Sequence, residues 1–373
     1  MLRVLHVAGA RPNFIKIAPL MAALREHSEI EQCLVHTGQH YDERLSQVFF
    51  DDLQIDRPNV NLEVGSGSHA VQTARIMIAF EGVCAEWRLD LVVVVGDVNS
   101  TVACALVGAK LGIAIAHVEA GLRSFDWTMP EEINRVVTDR LADVLFTTER
   151  SANENLRREG VPSERIHFVG NVMVDTLLRY RERARSLQVP ERFGVMPQEF
   201  ALVTLHRPAN VDSVEALAGI LEGICQVAKI MPVLFPMHPR TKGRIDSLGL
   251  QDRLGETRIL EPLGYLEFLG LMNDAAVVLT DSGGIQEETT VLGVPCLTLR
   301  PNTERPVTVE QGSNTLVGLD PGAIVTAVER AVDGSAADNR GSQQIPDLWD
   351  GKAAVRIARI INDRSWGSVR SPG

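Results

Sequence analysis

The sequence predicts an α/β protein with two domains, each built around a parallel β-sheet. The chain has 373 residues, which exceeds a comfortable single hydrophobic core and favours two domains of roughly 150–200 residues. Hydrophobic residues make up 45% and charged residues 23%, as is typical of a globular chain. Short β-branched runs alternate with longer amphipathic stretches, and this alternation indicates strands joined by helices.

The first domain is predicted from a series of nearly continuous apolar runs. Such runs are typical of strands that helices cover on both faces, as in a Rossmann-like parallel sheet. The predicted strands are Val4–Ala8, Cys33–Thr37, Leu91–Val95, Ile113–His117, Val144–Thr147 and His167–Val169.

A second series of strands follows an arginine-rich helical stretch, Asp175–Leu187. Its predicted members are Leu202–Leu205, Val233–Phe235, Ile259–Leu260, Ala276–Thr280 and Pro295–Leu299. We therefore predict an N-terminal Rossmann-like domain over residues 1–171 and a C-terminal one over residues 172–352. The amphipathic stretch Ala353–Ile361 is predicted to be a helix that packs back, so residues 353–373 are assigned to the N-terminal domain.

The charge balance and the cysteines limit the class of protein. The net charge is −11, and the sequence has no basic stripe with interleaved aromatic residues, so nucleic acid is not a predicted partner. The five cysteines form no Cys-x-x-Cys pair and indicate free thiols in a reducing compartment. No apolar run approaches the ~20 residues that span a bilayer. We predict a cytoplasmic protein without a membrane partner.

The turn after the first strand carries positive charge. Gly9 and Ala10 lead into a predicted helix whose first turns contain Arg11 and Lys16. Cations beside a helix N-terminus suit a phosphate or a carboxylate, although an ordinary turn with solvated charges is the alternative. The turn lacks both the Gly-x-Gly-x-x-Gly and the Gly-Lys-Ser/Thr motif, so neither a dinucleotide cofactor nor a P-loop is predicted.

Two carboxylates follow the ends of neighbouring predicted strands. Asp97 comes after Val94-Val95-Gly96, and Glu119 lies in the run from His117 to Arg123. Because ligands of parallel sheets collect where strands end, we expect both carboxylates at one rim of the sheet. The alternative for Asp97 is that it only caps the following helix.

A third acidic segment opens a predicted helix at Pro130. Proline favours the first turn, and acids there interact with the positive end of the helix dipole. Glu132 and Arg135 are three residues apart and have the alternative of a surface ion pair. Glu131, nearest the loop, is the acid that we expect to face the site.

The second domain has its strongest signal in the run from Thr280 to Glu288. Ser282 is predicted to cap a helix whose first residues, Gly283 and Gly284, leave the backbone N–H groups open to an anion such as a diphosphate. Glu288, one to two turns along, is a candidate acceptor for ribose hydroxyls, and Arg305 supplies a further cation after the next strand. His206 and His238 also follow strands, where a lone histidine is more often structural than catalytic.

Together these segments resemble the non-hydrolysing UDP-N-acetylglucosamine 2-epimerase family, in order from Gly9 to about Gly318. The motifs that carry the resemblance are Ala10-Arg11-Pro12 with Lys16, Gly96-Asp97, His117 to Arg123, Pro130-Glu131-Glu132 with Asn134-Arg135, Asp281 to Glu288, and Thr303-Glu304-Arg305-Pro306.

This resemblance implies a glycosyltransferase-B-type fold with the active site in the cleft between the two domains. It also implies a homodimer formed through the N-terminal domain, a UDP-sugar substrate whose UDP is held mainly by the C-terminal domain, and no nicotinamide, metal or other cofactor. The implied reaction is an anti elimination of UDP to a 2-acetamidoglucal, followed by re-addition of UDP with the proton returned to the other face.

The same resemblance implies roles for individual residues. The acid–base carboxylates are Asp97, Glu119 and Glu131. The contacts to sugar and phosphates are Arg11, Lys16, Arg135 and His206, of which His206 is counted with the catalytic residues. The remaining implied substrate contacts are Phe268 at the uracil, Ser282, Gly283 and Gly284 at the phosphates, Glu288 at the ribose, and Arg305 as a further cation.

Several alternatives stay open. The branch that acts on UDP-2,3-diacetamido-2,3-dideoxyglucuronate is similar to this chain around Ala10–Lys16 and Met129–Arg135. A hydrolysing UDP-N-acetylglucosamine 2-epimerase is a second alternative. A metallophosphoesterase would need more Asp and His ligands at strand ends than the sequence supplies. A catalytically silent nucleotide-sugar-binding protein or a retaining glycosyltransferase would not need three carboxylates.

Overall fold

The chain divides into two compact units. The computed structural model describes residues 1–38, 50, 52–333 and 344–366. Unit 1 comprises Met1–Thr176 together with Asp347–Gly373, and unit 2 comprises Leu177–Pro346. Unit 1 is thus assembled from two separate stretches of the chain, whereas unit 2 is continuous. No helix in the described ranges is long and apolar enough to cross a bilayer.

Unit 1 contains a parallel sheet whose seven described strands lie in the order β3-β2-β1-β4-β5-β6-β7. Its central strands are wholly buried, because they are apolar on both faces and helices cover both. The strands are β1 (Leu2–Ala8), β2 (Ile30–His36), β3 (Val60–Asn61), β4 (Leu91–Val95), β5 (Ala114–Ala120), β6 (Val144–Thr147) and β7 (Ile166–Phe168).

The helices of unit 1 connect successive parallel strands, as in a doubly wound sheet. They are α1 (Arg11–Leu24), α2 (His69–Trp87), α3 (Asn99–Lys110), α4 (Pro130–Leu141), α5 (Arg150–Arg158) and, from the second stretch, α15 (Ala353–Asp363). A short 3-10 helix, Ser163–Arg165, precedes β7. Helix α6 (Val172–Ser186) contains the boundary between the two units.

Helix α15 is tied into unit 1 at its start and along one face. The carboxylate of Asp175 accepts hydrogen bonds from the backbone N–H groups of Ala353 and Ala354, at 3.1 and 2.7 Å. Just upstream, Nε1 of the buried Trp349 donates to the carbonyl oxygen of Thr148 at 2.9 Å. The buried side of α15, which includes Ile357, packs against α1. Residues 367–373 of the predicted C-terminal segment lie outside the described ranges.

Unit 2 contains a second parallel sheet, with its six described strands in the order β10-β9-β8-β11-β12-β13. The strands are β8 (Ala201–Thr204), β9 (Val233–Pro236), β10 (Arg258–Leu260), β11 (Val277–Thr280), β12 (Cys296–Thr298) and β13 (Asn314–Leu316). The helices are α7 (Val189–Arg192), α8 (Pro208–Val211), α9 (Val214–Val227), α10 (Pro239–Leu248), α11 (Tyr265–Asp274), α12 (Gly283–Leu292), α13 (Pro306–Glu310) and α14 (Pro321–Val332), with a 3-10 helix at Gln251–Leu254.

Both sheets reverse their strand order at the same place. In unit 1 the order reverses between β1 and β4, and in unit 2 between β8 and β11. At such a switch point the loops after the two strands diverge to opposite faces, and the space outside their carboxyl ends binds ligands. The loops at these places lead to Lys16 in α1 and contain Asp97 in unit 1, and contain His206 and Ser282 in unit 2. The predicted fold class is confirmed, and the topology directs attention to these four loops.

Candidate active site

Asn13 ties the loop after β1 to the end of β4. Its Oδ1 accepts hydrogen bonds from the backbone N–H groups of Gly9 and Ala10, at 3.0 and 2.8 Å. Its Nδ2 donates to the carbonyl oxygen of Val95 at 3.1 Å. One side chain therefore holds together the two strand ends at the switch point of unit 1. Asn13 is not among the predicted site residues.

Lys16 and Glu119 form a buried ion pair beside Gly96. Nζ of Lys16, in the second turn of α1, donates to Oε2 of Glu119, and both side chains are at least nine-tenths buried. Gly96 has a φ of +68°, in the left-handed region that favours glycine. A Cβ atom at this position would lie 3.4 Å from Glu119 Oε2 and 3.5 Å from Lys16 Nζ. The end of β4 thus turns directly beside the ion pair.

The backbone at Glu119 is irregular. Its φ is +72°, a conformation that costs a non-glycine residue roughly 1 kcal/mol or more. The pairing of β5 with β6 shifts register between Val118 and Ala120 at this point. Bulges of this kind re-aim a side chain, and residues held in strained conformations cluster at functional sites. The irregularity turns the Glu119 carboxylate toward Lys16.

Asp97 is held by the first two turns of α4. Its Oδ2 accepts a hydrogen bond from Arg135 Nη2 at 2.5 Å, and its backbone carbonyl oxygen accepts one from Asn134 Nδ2 at 2.8 Å. The side chain stays 26% exposed, so the carboxylate reaches solvent. Helix α3 begins at Asn99 with Val98 in the N-cap position. The alternative that Asp97 only caps this helix is therefore wrong.

Arg135 and Glu132 form a buried pair. Arg135 Nη1 lies 2.7 Å from Glu132 Oε2, and each side chain is only 2% exposed. The alternative of a surface pair is wrong, because this face of α4 points into unit 1. Glu132 also accepts from the backbone N–H groups of Ser124 and Phe125, at 2.9 and 3.0 Å, which orders the loop before α4. The guanidinium of Arg135 thus bridges the carboxylates of Asp97 and Glu132.

Glu131 is half-buried in the first turn of α4. Within the described ranges its carboxylate has neither a hydrogen bond nor an ion pair, in contrast to Asp97 and Glu119. It lies on the same helix as Asn134 and Arg135, which contact the Asp97 loop. The backbone of Arg11 begins α1, and the side chain of Arg11 lies outside the described part of the chain.

In unit 2, Asp281 at the end of β11 accepts hydrogen bonds from the loop that follows β8. Its carboxylate accepts from the backbone N–H groups of His206 and Arg207, at 3.2 and 3.0 Å, and from Asn210 Nδ2 at 3.2 Å. His206 Nδ1 lies 3.2 Å from Asp281 Oδ1. Burial raises the pKa of Asp281, but the hydrogen bonds and charge of His206 and the Arg207 N–H outweigh burial and lower it overall. The His206 ring itself stays 44% exposed at this strand end.

Three arginines converge on the fully buried carboxylate of Glu304. Oε1 accepts from Arg207 Nη2 at 3.0 Å and Arg305 Nη1 at 2.7 Å, and Oε2 accepts from Arg300 Nη2 at 2.8 Å. Arg305 Nε also donates to the buried Glu287 at 2.7 Å. Burial lowers the pKa of Arg300, and the charges of Arg207 and Arg305 act in the same direction. The rim of unit 2 is therefore rich in cations whose orientation is fixed by buried acids.

The start of α12 lies against Arg305. A Cβ atom on Gly283 would lie 2.4 Å from Arg305 Nη1 and 2.7 Å from Glu304 Oε1, so a larger residue here would displace this buried ion pair. Ser282 occupies the N-cap position, and its side chain makes no capping hydrogen bond. The N–H groups of the first turn have no intrahelical partners, and neither Gly283 nor Gly284 has a side chain to cover them. N–H groups beside a fixed guanidinium suit a phosphate.

Glu288 accepts a hydrogen bond from a residue of α11. The hydroxyl of the buried Tyr265 donates to Glu288 Oε1 at 2.9 Å. Phe268 is half-buried one turn further along α11, on the same face as Tyr265. The predicted ribose and uracil contacts, Glu288 and Phe268, therefore lie on helices that Tyr265 connects.

Several residues of these networks are not among the predicted site residues, although His117 and Glu304 lie within the motifs that carry the resemblance. Asn13, His117, Asp139, Tyr265 and Glu304 organise the predicted site residues, yet their partners are distant in sequence. Within the described ranges no group of three or more His, Cys, Asp or Glu residues is placed to hold a metal ion.

Two doubly wound parallel sheets, each with its polar loops at the switch point, define an α/β protein of glycosyltransferase-B-like fold. A sucrose-phosphate synthase from Thermosynechococcus elongatus shares the fold alone, with a TM-score of 0.64 and 13% identity over 97% of this chain and 98% of that one. The chain belongs to the UDP-N-acetylglucosamine 2-epimerase family, whose sequence model matches residues 22–362. The predicted family is confirmed.

Individual relatives cover nearly the whole chain. A UDP-N-acetylglucosamine 2-epimerase of Methanocaldococcus jannaschii is 44% identical over 95% of this chain and 97% of its own length. A crystal structure of that organism's enzyme in complex with UDP-GlcNAc and UDP has a TM-score of 0.91 at 43% identity, covering 97% of this chain and 99% of that one. A UDP-2,3-diacetamido-2,3-dideoxy-D-glucuronate 2-epimerase of Pseudomonas aeruginosa is 40% identical over 96% of this chain and 99% of its own length.

Proposed function

We propose that this protein is a non-hydrolysing UDP-N-acetylglucosamine 2-epimerase, which interconverts UDP-N-acetylglucosamine and UDP-N-acetylmannosamine. The observation that carries the proposal is the pair of carboxylates at the ends of β4 and β5. Asp97 and Glu119 are each oriented by a buried cation, Arg135 and Lys16 respectively. The names of the relatives from Methanocaldococcus jannaschii support the choice of substrate.

The chemistry needs both an acid–base pair and a site for a leaving diphosphate. The proton on carbon 2 is not adjacent to a carbonyl group, so simple abstraction is too slow. When a carboxylate removes this proton as the bond between carbon 1 and the UDP oxygen breaks, the electron pair forms the double bond of a 2-acetamidoglucal. A carboxylic acid then protonates carbon 2 from the other face while the UDP oxygen returns to carbon 1. The substrate and the product therefore contain the same atoms and differ only in configuration at carbon 2.

Unit 1 supplies the proton transfers in this proposal. Asp97, Glu119 and Glu131 are the acid–base groups, and a positioned acid or base contributes about 100- to 10,000-fold to rate. Lys16 and Arg135 orient these carboxylates and, with Arg11, contact the substrate.

Unit 2 supplies the diphosphate and nucleoside contacts. The N–H groups at Gly283 and Gly284, with Ser282 and Arg305, hold the phosphates and stabilise the charge that develops on UDP as it leaves. His206, exposed at the adjacent strand end, contacts the phosphate or sugar. Glu288 accepts from the ribose hydroxyls, and Phe268 packs on the uracil.

Proton NMR of the reaction in deuterium oxide tests this proposal. UDP-N-acetylglucosamine should give UDP-N-acetylmannosamine with solvent deuterium at carbon 2, because a carboxylate open to water exchanges its proton before returning it. Prolonged incubation should release a little UDP and 2-acetamidoglucal, with no response to added nicotinamide cofactor or chelator. Free N-acetylmannosamine as the main product would identify a hydrolysing epimerase instead. Full retention of the original hydrogen would exclude elimination.

The second candidate substrate is UDP-2,3-diacetamido-2,3-dideoxyglucuronate, which the 40% identity to the Pseudomonas aeruginosa enzyme favours. The same elimination applies, since the two sugars differ at carbons 3 and 6 and not at the reacting carbons. Competition between the two nucleotides in one reaction gives the ratio of their kcat/KM values. A ratio that favours the diacetamido sugar would reassign the substrate and keep the mechanism. The homodimer and the cytoplasmic location stay predictions, the first of which sedimentation tests.

A further inference from the structure

His117 lies fully buried in β5, two residues before Glu119, and both of its ring nitrogens face acceptors. Nδ1 is 2.6 Å from Asp139 Oδ1, and Nε2 is 2.8 Å from the carbonyl oxygen of Gly96. A neutral imidazole has one N–H group, so it can donate to only one of these two acceptors. Satisfying both requires the imidazolium, provided that Asp139 carries no proton.

Asp139 is held as a carboxylate by its other neighbours. Its Oδ2 lies 2.7 Å from Arg123 Nη1 and accepts a hydrogen bond from the backbone N–H of Gly121 at 3.1 Å. Arg123 is in turn paired with Glu159 at 2.7 Å. The proposed charges along this row therefore alternate in sign, in the order His117, Asp139, Arg123 and Glu159.

The two backbone groups that this row holds lie beside the two proposed carboxylates. Gly96, whose carbonyl oxygen accepts from His117, immediately precedes Asp97, and its N–H donates to Val118 O at 3.0 Å. Gly121, whose N–H donates to Asp139, follows Glu119 by two residues. Both glycines have positive φ, +68° and +80°, so both loops turn sharply at the held atoms. A neutral imidazole, with its single N–H group, could donate to only one of the two loops.

We propose that His117 is a positioning residue for the epimerisation, a buried imidazolium that fixes the Asp97 loop through Gly96 and the Glu119 loop through Asp139. The inference rests on the proposed function in one respect, since Asp97 and Glu119 are its acid–base groups. His117 itself touches no substrate. Its effect is on the distance between two carboxylates that must act on opposite faces of one carbon, where a misplacement of about 1 Å costs about 100-fold in rate.

The protonation state is tested on the wild-type protein, so folding of a variant is not in question. In a spectrum of ¹⁵N-histidine-labelled protein at neutral pH, both ring nitrogens of His117 should carry protons. His6 is the internal control, because it is equally buried but faces Gln32, and burial lowers its pKa to about 4. His6 should show one protonated and one bare nitrogen. The same neutral pattern for His117 would overturn the proposal.

The positioning role is tested with two variants that each restore one of the two donors. The amide nitrogen of His117→Asn lies where Nδ1 lay and serves Asp139, whereas that of His117→Gln reaches toward Gly96. We expect each variant to lower kcat about 10- to 100-fold while the UDP dissociation constant stays within about twofold. His27→Asn, which changes a partly exposed histidine after α1, should leave both constants unchanged.

Hydrogen exchange gives a readout that does not depend on activity. Peptides covering residues 96–101 and 119–125 should exchange faster in His117→Asn, and peptides of unit 2 should not change. Unchanged exchange together with normal kcat would overturn the positioning role. If the wild-type protein shows no epimerisation, the proposed function falls, and exchange and ring protonation still decide whether His117 holds the two loops.

Discussion

The rims of the two sheets have the same topology and opposite electrostatic designs. At the rim of unit 1, a buried cation orients each of two proposed acid–base carboxylates, as Lys16 does for Glu119 and Arg135 for Asp97. At the rim of unit 2, three arginines gather on one buried carboxylate, Glu304, beside an open helix start. The first design presents acids and the second presents cations.

This difference teaches that topology decides where a site lies and loop residues decide what it does. Both strand orders reverse between two central strands, and in both units the polar residues follow those strands. The assignment of proton transfer to unit 1 and of diphosphate binding to unit 2 follows from the loops alone. Three experiments on activity and UDP affinity test these two assignments, and a fourth compares the stability of buried aspartates in the two units.

The largest expected effect is on turnover, from Asp97→Asn in unit 1. Removing an acid–base group should lower kcat about 100- to 1,000-fold, while UDP affinity stays within about twofold. Asp90→Asn is the matched control, because Asp90 is an exposed acid just before the opposite end of β4 and accepts only from Arg3 N among its described contacts. Steady-state kinetics and calorimetry with UDP measure both quantities. Near-normal turnover in Asp97→Asn would remove Asp97 from the mechanism.

A loss of UDP affinity is expected from Gly283→Ala in unit 2. The added methyl group would lie 2.4 Å from Arg305 Nη1, so the guanidinium must move and the helix start is covered. UDP affinity should fall about tenfold or more, which corresponds to about 1.4 kcal/mol. Gly243→Ala in α10 is the control, since its methyl group would meet no atom within 4 Å. Equal UDP affinities of the two variants would place the nucleotide elsewhere.

A smaller effect concerns two buried aspartates with opposite pKa shifts. Burial raises the pKa of Asp175 to about 6, because only backbone N–H groups and one nearby arginine oppose it. The pKa of Asp281 is lowered because His206 and the Arg207 N–H outweigh burial. Because its pKa is higher in the folded than in the unfolded chain, Asp175 stabilises the folded protein fully at a pH below the unfolded pKa. This stabilisation is lost as the pH rises through the folded pKa of about 6.

Replacing Asp175 by Asn removes that pH dependence from unit 1. Between pH 5 and pH 7.5 the wild-type protein should lose about 1 kcal/mol of unfolding free energy relative to Asp175→Asn, since one pKa unit corresponds to about 1.4 kcal/mol. Urea denaturation followed by tryptophan fluorescence measures it, because all four tryptophans lie in the ranges of unit 1. Parallel pH dependences of the two proteins would contradict the raised pKa.

The smallest effect is expected from Tyr265→Phe, which removes the hydrogen bond to Glu288. UDP affinity should fall about three- to fivefold, within the roughly 0.5–1.5 kcal/mol of one hydrogen bond, and kcat should not change. In a Glu288→Ala background the same substitution should have no further effect on UDP affinity, because the partner is gone. Additive losses would show that Tyr265 acts on the nucleotide independently of Glu288.

Much of the fold could be predicted from the sequence because buried parallel strands are continuous apolar runs. The bounds of β4 and β6 agree residue for residue with the prediction. Strands β3 and β13 were not predicted, since they are edge strands of two and three residues, with polar and exposed positions. Such strands are defined by pairing with a neighbour and not by their own composition.

The site could be predicted only as far as its chemistry is local. Asp97 follows an apolar strand and Glu119 lies at the end of another, and that context alone makes them candidates. Their partners could not be found in this way, because Arg135 is 38 residues from Asp97 and Lys16 is 103 residues from Glu119. The spacing of Glu132 and Arg135 was compatible with a surface pair, and only the packing of α4 buries it.

The division of unit 1 between two stretches of chain has a consequence for biosynthesis. Translation completes all of unit 2 before the ribosome reaches Trp349 and α15. Until then the Thr148 carbonyl oxygen and the Asp175 carboxylate lack the partners that they have in the finished protein, and the surface that Ile357 covers is open to water. All residues of the unit 2 core have been synthesised at that moment, whereas those of the unit 1 core have not. Unit 1, the earlier to be synthesised, is therefore the later to be completed, and its unfinished apolar surface stays exposed until the last stretch of the chain has emerged.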